Sequence, residues 1–424
     1  MIKDEILNSK LELEKYLKEE LLPFWLDRCM DYKNGGFITH FDKNGEDTQV
    51  NEKSLISQTR VIYSFSLAQK YGYGNNKWGS FATEGINFLI EKLWDKTYGG
   101  FYWMADREGN ILDDKKILYG QSFAIYSLCE HFLATGDKKS LDYAEKTFDL
   151  VLKHCTDSFN GGYFEIMNRD WDLVSSNVVG SDRKTFDVHM HLMESFTNIF
   201  KCKKDHLSRR KLLEIIDIIK YRMLHPDYGT GMPQFTVDWK LAPNVKLDIV
   251  WGMDRFEDNG TKSNPKNITS YGHNIEFTWL LCTALEELGI DLNKYSPLIK
   301  KIIDHTVKFG IDYKYGGIYV EGLHNGKVTD DQKEFWQQAE AMIGILYACN
   351  LFGYKTYWKV YKNVHNFIFN KVINHSTGEW WPLLTSKGEV LWQHMGNSWK
   401  INYHTIRSTV LSIDLLNKLL MSVK

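Results

Sequence analysis

The chain has 424 residues, 43% of them hydrophobic, and a formal net charge of -2 at pH 7. This balance gives no general reason to expect nucleic acid or an anionic membrane as a partner. No stretch approaches the roughly 18 apolar residues that a membrane span needs, and the N-terminus lacks the pattern of a signal peptide. We therefore expect a cytoplasmic protein that binds a small, neutral molecule. The chain has no Pro/Ser/Gly-rich linker, which predicts a single domain over residues 1–424.

A glycine-containing turn recurs along the chain. It first reads NGGFITHFDKNGE at residues 34–46 and then YGGFYWMADREGN at 98–110. Four further copies follow: NGGYFEIMNRDWD (160–172), YGTGMPQFTVDWK (228–240), YGGIYVEGLHNGK (315–327) and TGEWWPLLTSKGE (377–389). In each copy glycine precedes an aromatic-rich stretch and a second polar turn, which is typical of a short β-hairpin. The sequence therefore contains six repeats.

Each stretch between two copies of the turn holds about two amphipathic helical patterns. The first stretch contains SLISQTRVIYSFSLAQKYG (54–72) and GSFATEGINFLIEKLW (79–94). Twelve helices in six hairpins predict an all-α fold, a closed (α/α)6 barrel with short β-hairpin connectors at its mouth. An open solenoid of helix pairs is the competing geometry, but solenoids normally have shorter repeats and polar capping units at their ends.

In such a barrel, polar residues on the inner helices are candidates for a central site. In KTFDVHMHLMESF (184–196), His189 and His191 lie about 200° apart around a helix, so only one of them faces inward. His189 lies on an apolar stripe, which predicts a core residue. His191 shares a polar stripe with Asp187 and with Glu194 or Ser195, and we expect it to line the cavity.

Other inner helices carry polar or aromatic residues one turn apart. Three such pairs occur: His273 with Glu276, Trp336 with Glu340, and His404 with Arg407. Trp279 lies beside the first pair, in which the carboxylate of Glu276 can orient the imidazole of His273 and raise its basicity.

Arg60 is a lone cation inside the apolar helix at 54–72. A buried unpaired charge is costly, so this guanidinium needs either a carboxylate partner or an anionic or oxygen-rich ligand. The sequence has no spacing typical of metal ligands and no cofactor motif, so we expect neither a metal nor a cofactor.

Five separated motifs carry these residues. They are SQTR ending at Arg60, H-x-H-L-x-E from His189 to Glu194, SYGHNIEFTWLL around His273, WQQAEAM from Trp336, and WKINYH ending at His404. Together they resemble the N-acylglucosamine 2-epimerase superfamily, and within it the cellobiose 2-epimerases, over nearly the whole chain. The resemblance implies an (α/α)6 barrel that inverts carbon 2 of a reducing sugar without a cofactor.

The resemblance also implies roles for individual residues. The sugar ring opens and loses the proton on carbon 2, and the resulting cis-enediolate needs proton donors on both faces. His273 and His404 would be these acid–base groups. Arg60 would stabilise the developing oxyanion, and His191 would bind or polarise the same region. Seven further residues are implied in substrate binding: Tyr119, Asp187, Glu276, Trp279, Trp336, Glu340 and Trp399.

Three features depart from the family pattern. Asp187 stands where relatives often have asparagine, and Ile401-Asn402 stands where cellobiose epimerases usually have a pair ending in proline. The segment 250–267 is longer and more polar than expected, and we interpret it as a lid or rim loop. The last two features lie where substrate length is sensed. A monosaccharide 2-epimerase or aldose–ketose isomerase acting on mannose or N-acetylglucosamine is therefore an alternative to an enzyme acting on cellobiose.

Two alternatives come from other classes of protein. An (α/α)6 glycoside hydrolase needs two carboxylates, which Asp187, Glu276 and Glu340 could supply, but three histidines are surplus to that mechanism. A non-catalytic sugar-binding protein would keep the aromatic residues and would not need His273 and His404. We expect a monomer or homodimer that binds a small sugar.

Overall fold

The computed structural model describes residues 2–74, 77–175, 178, 180–245 and 267–423. Within them the α-helices are α1 (Ile2–Tyr16), α2 (Leu22–Arg28), α3 (Leu55–Lys70), α4 (Lys77–Phe88), α5 (Leu118–Thr135), α6 (Lys138–His154), α7 (Phe186–Lys203), α8 (His206–Ile218), α9 (Tyr271–Leu288), α10 (Ser296–His305), α11 (Phe335–Phe352), α12 (Tyr354–Phe367) and α13 (Asn402–Ser422). A π-helical turn, Leu17–Leu21, joins α1 to α2, so the described residues form twelve helical rods. Of the segment 250–267, all but Asn267 lies outside the described residues.

The twelve rods form two concentric rings. The inner helices α3, α5, α7, α9, α11 and α13 contact one another in this order, and α13 returns to contact α3. Each remaining rod packs on the outside of an inner helix, as α4 does on α3 and α1 does on α13. This closed ring confirms the predicted (α/α)6 barrel and excludes the open solenoid.

Burial follows the two rings. In α3 every residue from Leu55 to Ala68 is buried, because neighbouring helices cover it on all sides. The outer helix α12 buries one face, which includes Tyr357, Tyr361 and Val364 at helical spacing. None of the described helices combines the length and the apolar character that a membrane crossing requires. Because neighbouring helices cover the inner helices on all sides, their buried polar residues must find hydrogen-bond partners inside the barrel.

The strands are short and lie between the outer and inner helices. They are β1 (Lys53–Ser54), β2 (Met104–Ala105), β3 (Ile111–Asp113), β4 (Lys116–Ile117), β5 (Ile166–Met167), β6 (Arg183–Thr185), β7 (Gln234–Thr236), β8 (Ile268–Ser270), β9 (Glu321–Leu323), β10 (Val328–Asp330), β11 (Lys333–Glu334), β12 (Leu383–Leu384) and β13 (Val390–Trp392). The strand before an inner helix pairs with the hairpin of the next repeat, as Lys53 does with Ala105. Phe41 of the first hairpin bridges Gly396 just before α13, so the hairpins also close into a ring, at the N-terminal ends of the inner helices.

A buried ion pair explains why the turn is repeated. In four repeats, a lysine two residues before the inner helix donates to the aspartate that opens the turn. The pairs are Lys53–Asp31 (2.7 Å), Lys116–Asp95 (3.2 Å), Lys184–Asp157 (2.7 Å) and Lys333–Asp312 (3.1 Å). Glycine is required as well, because Gly36 has a φ of +69° and a Cβ there would lie 2.8 Å from Oε1 of Gln58. The repeated turn therefore fixes each hairpin to its inner helix.

The fourth residue of each inner helix adds a second link to the hairpin. In the first repeat, Gln58 donates to the carbonyl oxygen of Phe37 at 2.9 Å. In the third repeat His189 takes this position, and its Nε2 accepts from the backbone N–H of Tyr163 at 3.2 Å. His189 is fully buried, which confirms the prediction of a core histidine.

Candidate active site

Side chains from the first two turns of the six inner helices meet at the centre of the barrel. The sixth residue of each helix belongs to this group: Arg60, Phe123, His191, Glu276, Glu340 and Arg407. The guanidinium carbon of Arg60 lies 4.7 Å from the ring centroid of Phe123, and the rings of Phe123 and His191 are 4.9 Å apart. The sixfold repeat thus delivers one side chain from every inner helix to the same place.

Arg407 is fully buried and bonds carboxylates from three different helices. Its Nη1 donates to Oε1 of Glu194 at 2.6 Å, and its Nη2 donates to Oε1 of Glu276 and of Glu340 at 2.7 Å each. The ring centroid of Tyr403 lies 4.1 Å from the guanidinium carbon. Because charge-assisted hydrogen bonds are short and directional, Arg407 holds the carboxylates of the buried base of the site in place.

His404 is bound through one ring nitrogen. Its Nδ1 lies 2.7 Å from Oε1 of Glu340, which assigns the proton to Nδ1 and leaves Nε2 to accept one from a ligand. Burial lowers the pKa of His404 to about 3, Glu340 opposes this change, and the charge of Arg407 adds to it. The indole of Trp279 donates to the other oxygen of Glu340 at 3.0 Å. At neutral pH His404 is therefore an uncharged base in a fixed orientation.

His191 is in the opposite state. Its Nδ1 lies 2.9 Å from Oε2 of Glu194, and its Nε2 lies 3.3 Å from Oδ1 of Asp187. Burial acts to lower the pKa of His191, but the hydrogen bonds to Asp187 and Glu194 outweigh it and raise the pKa to about 10. His191 is thus a cation at neutral pH and can polarise a ligand oxygen.

His273 and Asp187 lie at the open side of the site, with 26% and 29% of their side chains exposed. Nε2 of His273 is 3.5 Å from Oδ1 of Asp187. Burial lowers the pKa of His273 although Asp187 acts in the other direction. For Asp187, burial acts to raise the pKa, but His273 and His191 lower it to about 2. Asp187 is therefore an anion between two histidines.

Arg60 is surrounded by aromatic rings. Its Nη2 donates to the hydroxyl of Tyr119 at 3.0 Å and its Nη1 donates to the carbonyl oxygen of Trp399 at 2.9 Å. The rings of Tyr119 and Trp399 stack with centroids 5.4 Å apart. Within the described part of the chain, Arg60 forms no ion pair and its buried Nε has no hydrogen-bond partner. The cation therefore suits an oxygen-rich ligand better than a structural ion pair.

Trp336 connects the two uncharged histidines. Its ring centroid lies 4.6 Å from that of His273 and 5.8 Å from that of His404. The indole is only partly buried, as is that of Trp399. Flat, partly exposed indoles beside two bases suit the apolar face of a sugar ring.

Glu276, Glu340 and His404 place possible metal-ligand atoms within 4.8 Å of one another. Oε1 of both carboxylates already accepts from Nη2 of Arg407, and Nδ1 of His404 is bound to Glu340. The guanidinium thus stands between the carboxylates where a cation would bind. These contacts fit an acid–base network better than a metal site.

The structure brings together every residue that the sequence predicts for the site: Arg60, Tyr119, Asp187, His191, His273, Glu276, Trp279, Trp336, Glu340, Trp399 and His404. One predicted partner is wrong. Glu276 accepts from Arg407 and does not orient His273, whose carboxylate neighbour is Asp187. Burial, together with Glu340, raises the pKa of Glu276 to about 8.

Three further residues belong to the site although the sequence assigns them no role in catalysis or binding: Glu194, Tyr403 and Arg407. Tyr403 donates to both oxygens of Glu194 at 3.1 Å, so these residues support the buried base of the site together with Arg407. A signal for Arg407 is present in the sequence, because aligning the six inner helices at their first residues puts Arg407 in the same column as Arg60 and His191.

A model of the N-acylglucosamine 2-epimerase family matches residues 36–408, which include the whole site from Arg60 to Arg407. The chain belongs to this family. A cellobiose 2-epimerase from Bacteroides fragilis is 30% identical over 98% of this chain and 100% of its own length. The structure of the cellobiose 2-epimerase from Spirochaeta thermophila is 27% identical, covers 99% of both chains and has a TM-score of 0.85. A D-mannose isomerase from Marinomonas mediterranea is 27% identical over 94% of this chain and 95% of its own.

As a member of the N-acylglucosamine 2-epimerase family, the chain is an enzyme of the isomerase class, a sugar 2-epimerase. The site agrees with this class. It combines two uncharged imidazoles, one imidazolium and two guanidinium groups, those of Arg60 and Arg407.

Proposed function

We propose that this enzyme inverts carbon 2 of the reducing unit of cellobiose and related β-1,4-linked disaccharides, and that His273 and His404 transfer the protons. The observation that supports this most directly is that two uncharged imidazoles contact the same partly exposed indole, Trp336. The disaccharide is favoured because relatives that match this chain end to end are cellobiose 2-epimerases.

The reaction begins with opening of the reducing ring, which places an aldehyde next to carbon 2. One imidazole removes the carbon 2 proton, the C–H electron pair forms the double bond between carbons 1 and 2, and the carbonyl pair moves to the oxygen. The other imidazole takes up a proton from water for this step and delivers it to the opposite face of the cis-enediolate. Exchange with water then restores both rings, so the cycle is balanced without a cofactor.

Two cations would stabilise the enediolate oxygens. Arg60 has no ion-pair partner among the described residues, and its buried Nε is free to donate. His191 is protonated through its contacts with Asp187 and Glu194. Positive groups fixed before the reaction stabilise a developing oxyanion without reorganisation, and such groups are typically worth about 10²- to 10³-fold in kcat.

The remaining residues would bind and position. Trp336 and Trp399 would stack on the sugar rings, and Tyr119 and Asp187 would meet sugar hydroxyls. The other three predicted binding residues are buried and bonded to the network: Glu276, Trp279 and Glu340. We therefore assign them a positioning role behind the acid–base groups.

A second activity has support of its own. A D-mannose isomerase matches this chain over 95% of its own length. In addition, this chain has Ile401-Asn402 directly before Tyr403 and His404. If the enediolate is protonated at carbon 1 and not at carbon 2, the same residues produce a ketose. A monosaccharide epimerase or aldose–ketose isomerase is therefore the alternative within the family.

We also propose that residues 1–424 form one catalytic domain. The inner ring closes between α3 and α13, and the N-terminal α1 packs on the C-terminal α13. The two ends of the chain thus contribute to one barrel.

The test is NMR of the purified protein in deuterated water with cellobiose, mannose, glucose or N-acetylglucosamine. The proposal predicts a glucosyl-mannose product from cellobiose with deuterium at carbon 2. Turnover of a monosaccharide alone would contradict the disaccharide substrate and retain the mechanism, and a ketose product would indicate the isomerase. Release of free glucose from cellobiose would instead indicate a glycoside hydrolase.

A further inference from the structure

Arg407 bonds two carboxylates that each bind Nδ1 of a different histidine. Oε1 of Glu194 accepts from Arg407 at 2.6 Å, while Oε2 of the same group lies 2.9 Å from Nδ1 of His191. Oε1 of Glu340 accepts from Arg407 and lies 2.7 Å from Nδ1 of His404. A single guanidinium therefore fixes rings on α7 and α13 through carboxylates on α7 and α11.

The fork shape of the guanidinium is what permits this arrangement. Nη1 donates to Glu194 and Nη2 donates to Glu340, so each carboxylate binds a different nitrogen of the planar group. The ring of Trp279 lies 4.9 Å and that of Tyr403 lies 4.1 Å from the guanidinium carbon, so the plane cannot tilt freely. A lysine carries the same charge at a single point and cannot bond both carboxylates in this way.

The charges around His404 explain why a cation is needed here. The carboxylate of Glu340 at 2.7 Å would by itself favour a protonated ring, and burial opposes it. Arg407 on the same helix and Arg60 on α3 both oppose protonation of His404. His191 has no direct bond to Arg407 and contacts two carboxylates, Asp187 and Glu194. The network therefore leaves one histidine uncharged and the other charged.

We propose that Arg407 is a positioning residue that orients His191 and His404 together through Glu194 and Glu340, and that its charge acts with burial to keep His404 an uncharged base. This inference rests on the proposed function for its effect on turnover. Its effect on the two rings is independent of any substrate.

The experiment is NMR of the ¹⁵N-labelled full-length protein at pH 7, recording the two ring nitrogens of His191 and His404. Signals are assigned by loss in His191→Gln and His404→Gln. In the unaltered protein we expect His404 uncharged with its proton on Nδ1, and His191 doubly protonated. In Arg407→Met we expect the signals of both rings to shift and His404 to mix its two tautomers, because the carboxylates that bind the rings are no longer held in place.

Arg407→Lys is the variant to use if Arg407→Met does not fold. It keeps the charge and loses the fork, so we expect His404 to mix both tautomers and kcat to fall at least about 100-fold, with KM changing much less. Glu194→Gln removes only the carboxylate that links Arg407 to His191, so His191 should lose its second proton while His404 is unchanged. Lys70→Met, which breaks the 2.6 Å pair with Glu130 at the other end of the inner helices, is the matched control and should change neither ring.

Wild-type ring signals in both Arg407 variants, or equal changes in Lys70→Met, would overturn the inference. The outcome for the proposed function is separate. If the rings behave as expected but no sugar exchanges the hydrogen at carbon 2, the proposed function fails and the role of Arg407 stands. If a sugar exchanges the hydrogen at carbon 2 but the ring signals do not change in the Arg407 variants, the proposed function stands and the role of Arg407 fails.

Discussion

Nδ1 of His404 lies 2.7 Å from Oε1 of Glu340, and both groups are buried. The contact joins the C-terminal inner helix α13 to α11. It keeps one nitrogen of the imidazole occupied and the other available, which is the arrangement that a directional base requires.

Replacing Glu340 by glutamine should reduce kcat by about 100-fold, the lower end of what one acid–base group contributes. The amide oxygen can still accept from Nδ1 of His404, but the negative charge that supports proton transfer is lost. Steady-state kinetics with cellobiose measure the effect. Glu130→Gln removes a buried carboxylate at the far end of α5 and should leave kcat unchanged. An unchanged kcat in Glu340→Gln would show that this contact has no part in turnover.

Replacing Asp187 by asparagine should move the alkaline limb of the kcat profile to lower pH. His191 must be protonated to polarise the sugar, so activity is lost as pH rises through its pKa, which Asp187 and Glu194 raise to about 10. Loss of the Asp187 charge should lower that pKa by about one unit or more. The pH profiles of kcat for the two proteins provide the measurement. An alkaline limb at the same pH in both would contradict the role of Asp187.

His365 should make the fold sensitive to acid. Burial lowers the pKa of this histidine to about 3, and both ring nitrogens lack a hydrogen bond within the described residues. Its folded pKa is below its unfolded value of 6.5, so stability is complete above pH 6.5 and declines as pH falls toward 3. At pH 5 protonation of this residue in the unfolded state should lower the free energy of unfolding by about 2 kcal/mol relative to neutral pH.

The measurement is urea unfolding of His365→Leu and the parent protein at pH 7.5 and pH 5. The free energy of unfolding should fall less between these two values in the variant. His206→Gln alters an exposed histidine and should follow the parent. Equal acid sensitivity of His365→Leu and the parent would contradict this origin.

Replacing Arg60 by lysine should lower kcat by about 10²- to 10³-fold, the range typical for a lost oxyanion donor. A lysine keeps the charge but cannot bond Tyr119, the Trp399 carbonyl and a sugar oxygen in one plane. Arg107→Lys alters an arginine at the rim that pairs with Asp47 and is the control. Near-parental turnover of Arg60→Lys would remove Arg60 from the mechanism.

The barrel was predictable because its turns and helices have recognisable local sequence patterns. Glycine turns such as Gly35-Gly36 and the helical patterns between them repeat six times, and each repeat carries the same physical signal. The lysine and aspartate of each ion pair, such as Lys53 and Asp31, also recur in the sequence, but only the structure shows that they are in contact.

The partners within the site were less predictable. Sequence spacing finds neighbours on one helix, such as His191 and Glu194, which do bond. It also predicted that Glu276 orients His273, but the carboxylate of Glu276 accepts a hydrogen bond from Arg407 on another helix. Contacts between helices depend on the radius and rotation of the closed ring, which no single helix encodes.

If His273 and His404 act on opposite faces of carbon 2, loss of either histidine should abolish proton transfer on one face only. His273→Asn and His404→Asn are each incubated in deuterated water with cellobiose and, separately, with its carbon 2 epimer. We predict that neither variant inverts carbon 2. Each should exchange the carbon 2 hydrogen of one epimer only, and the two variants should exchange opposite epimers. Retained inversion in either variant, or exchange of the same epimer by both, would contradict these roles of the two histidines.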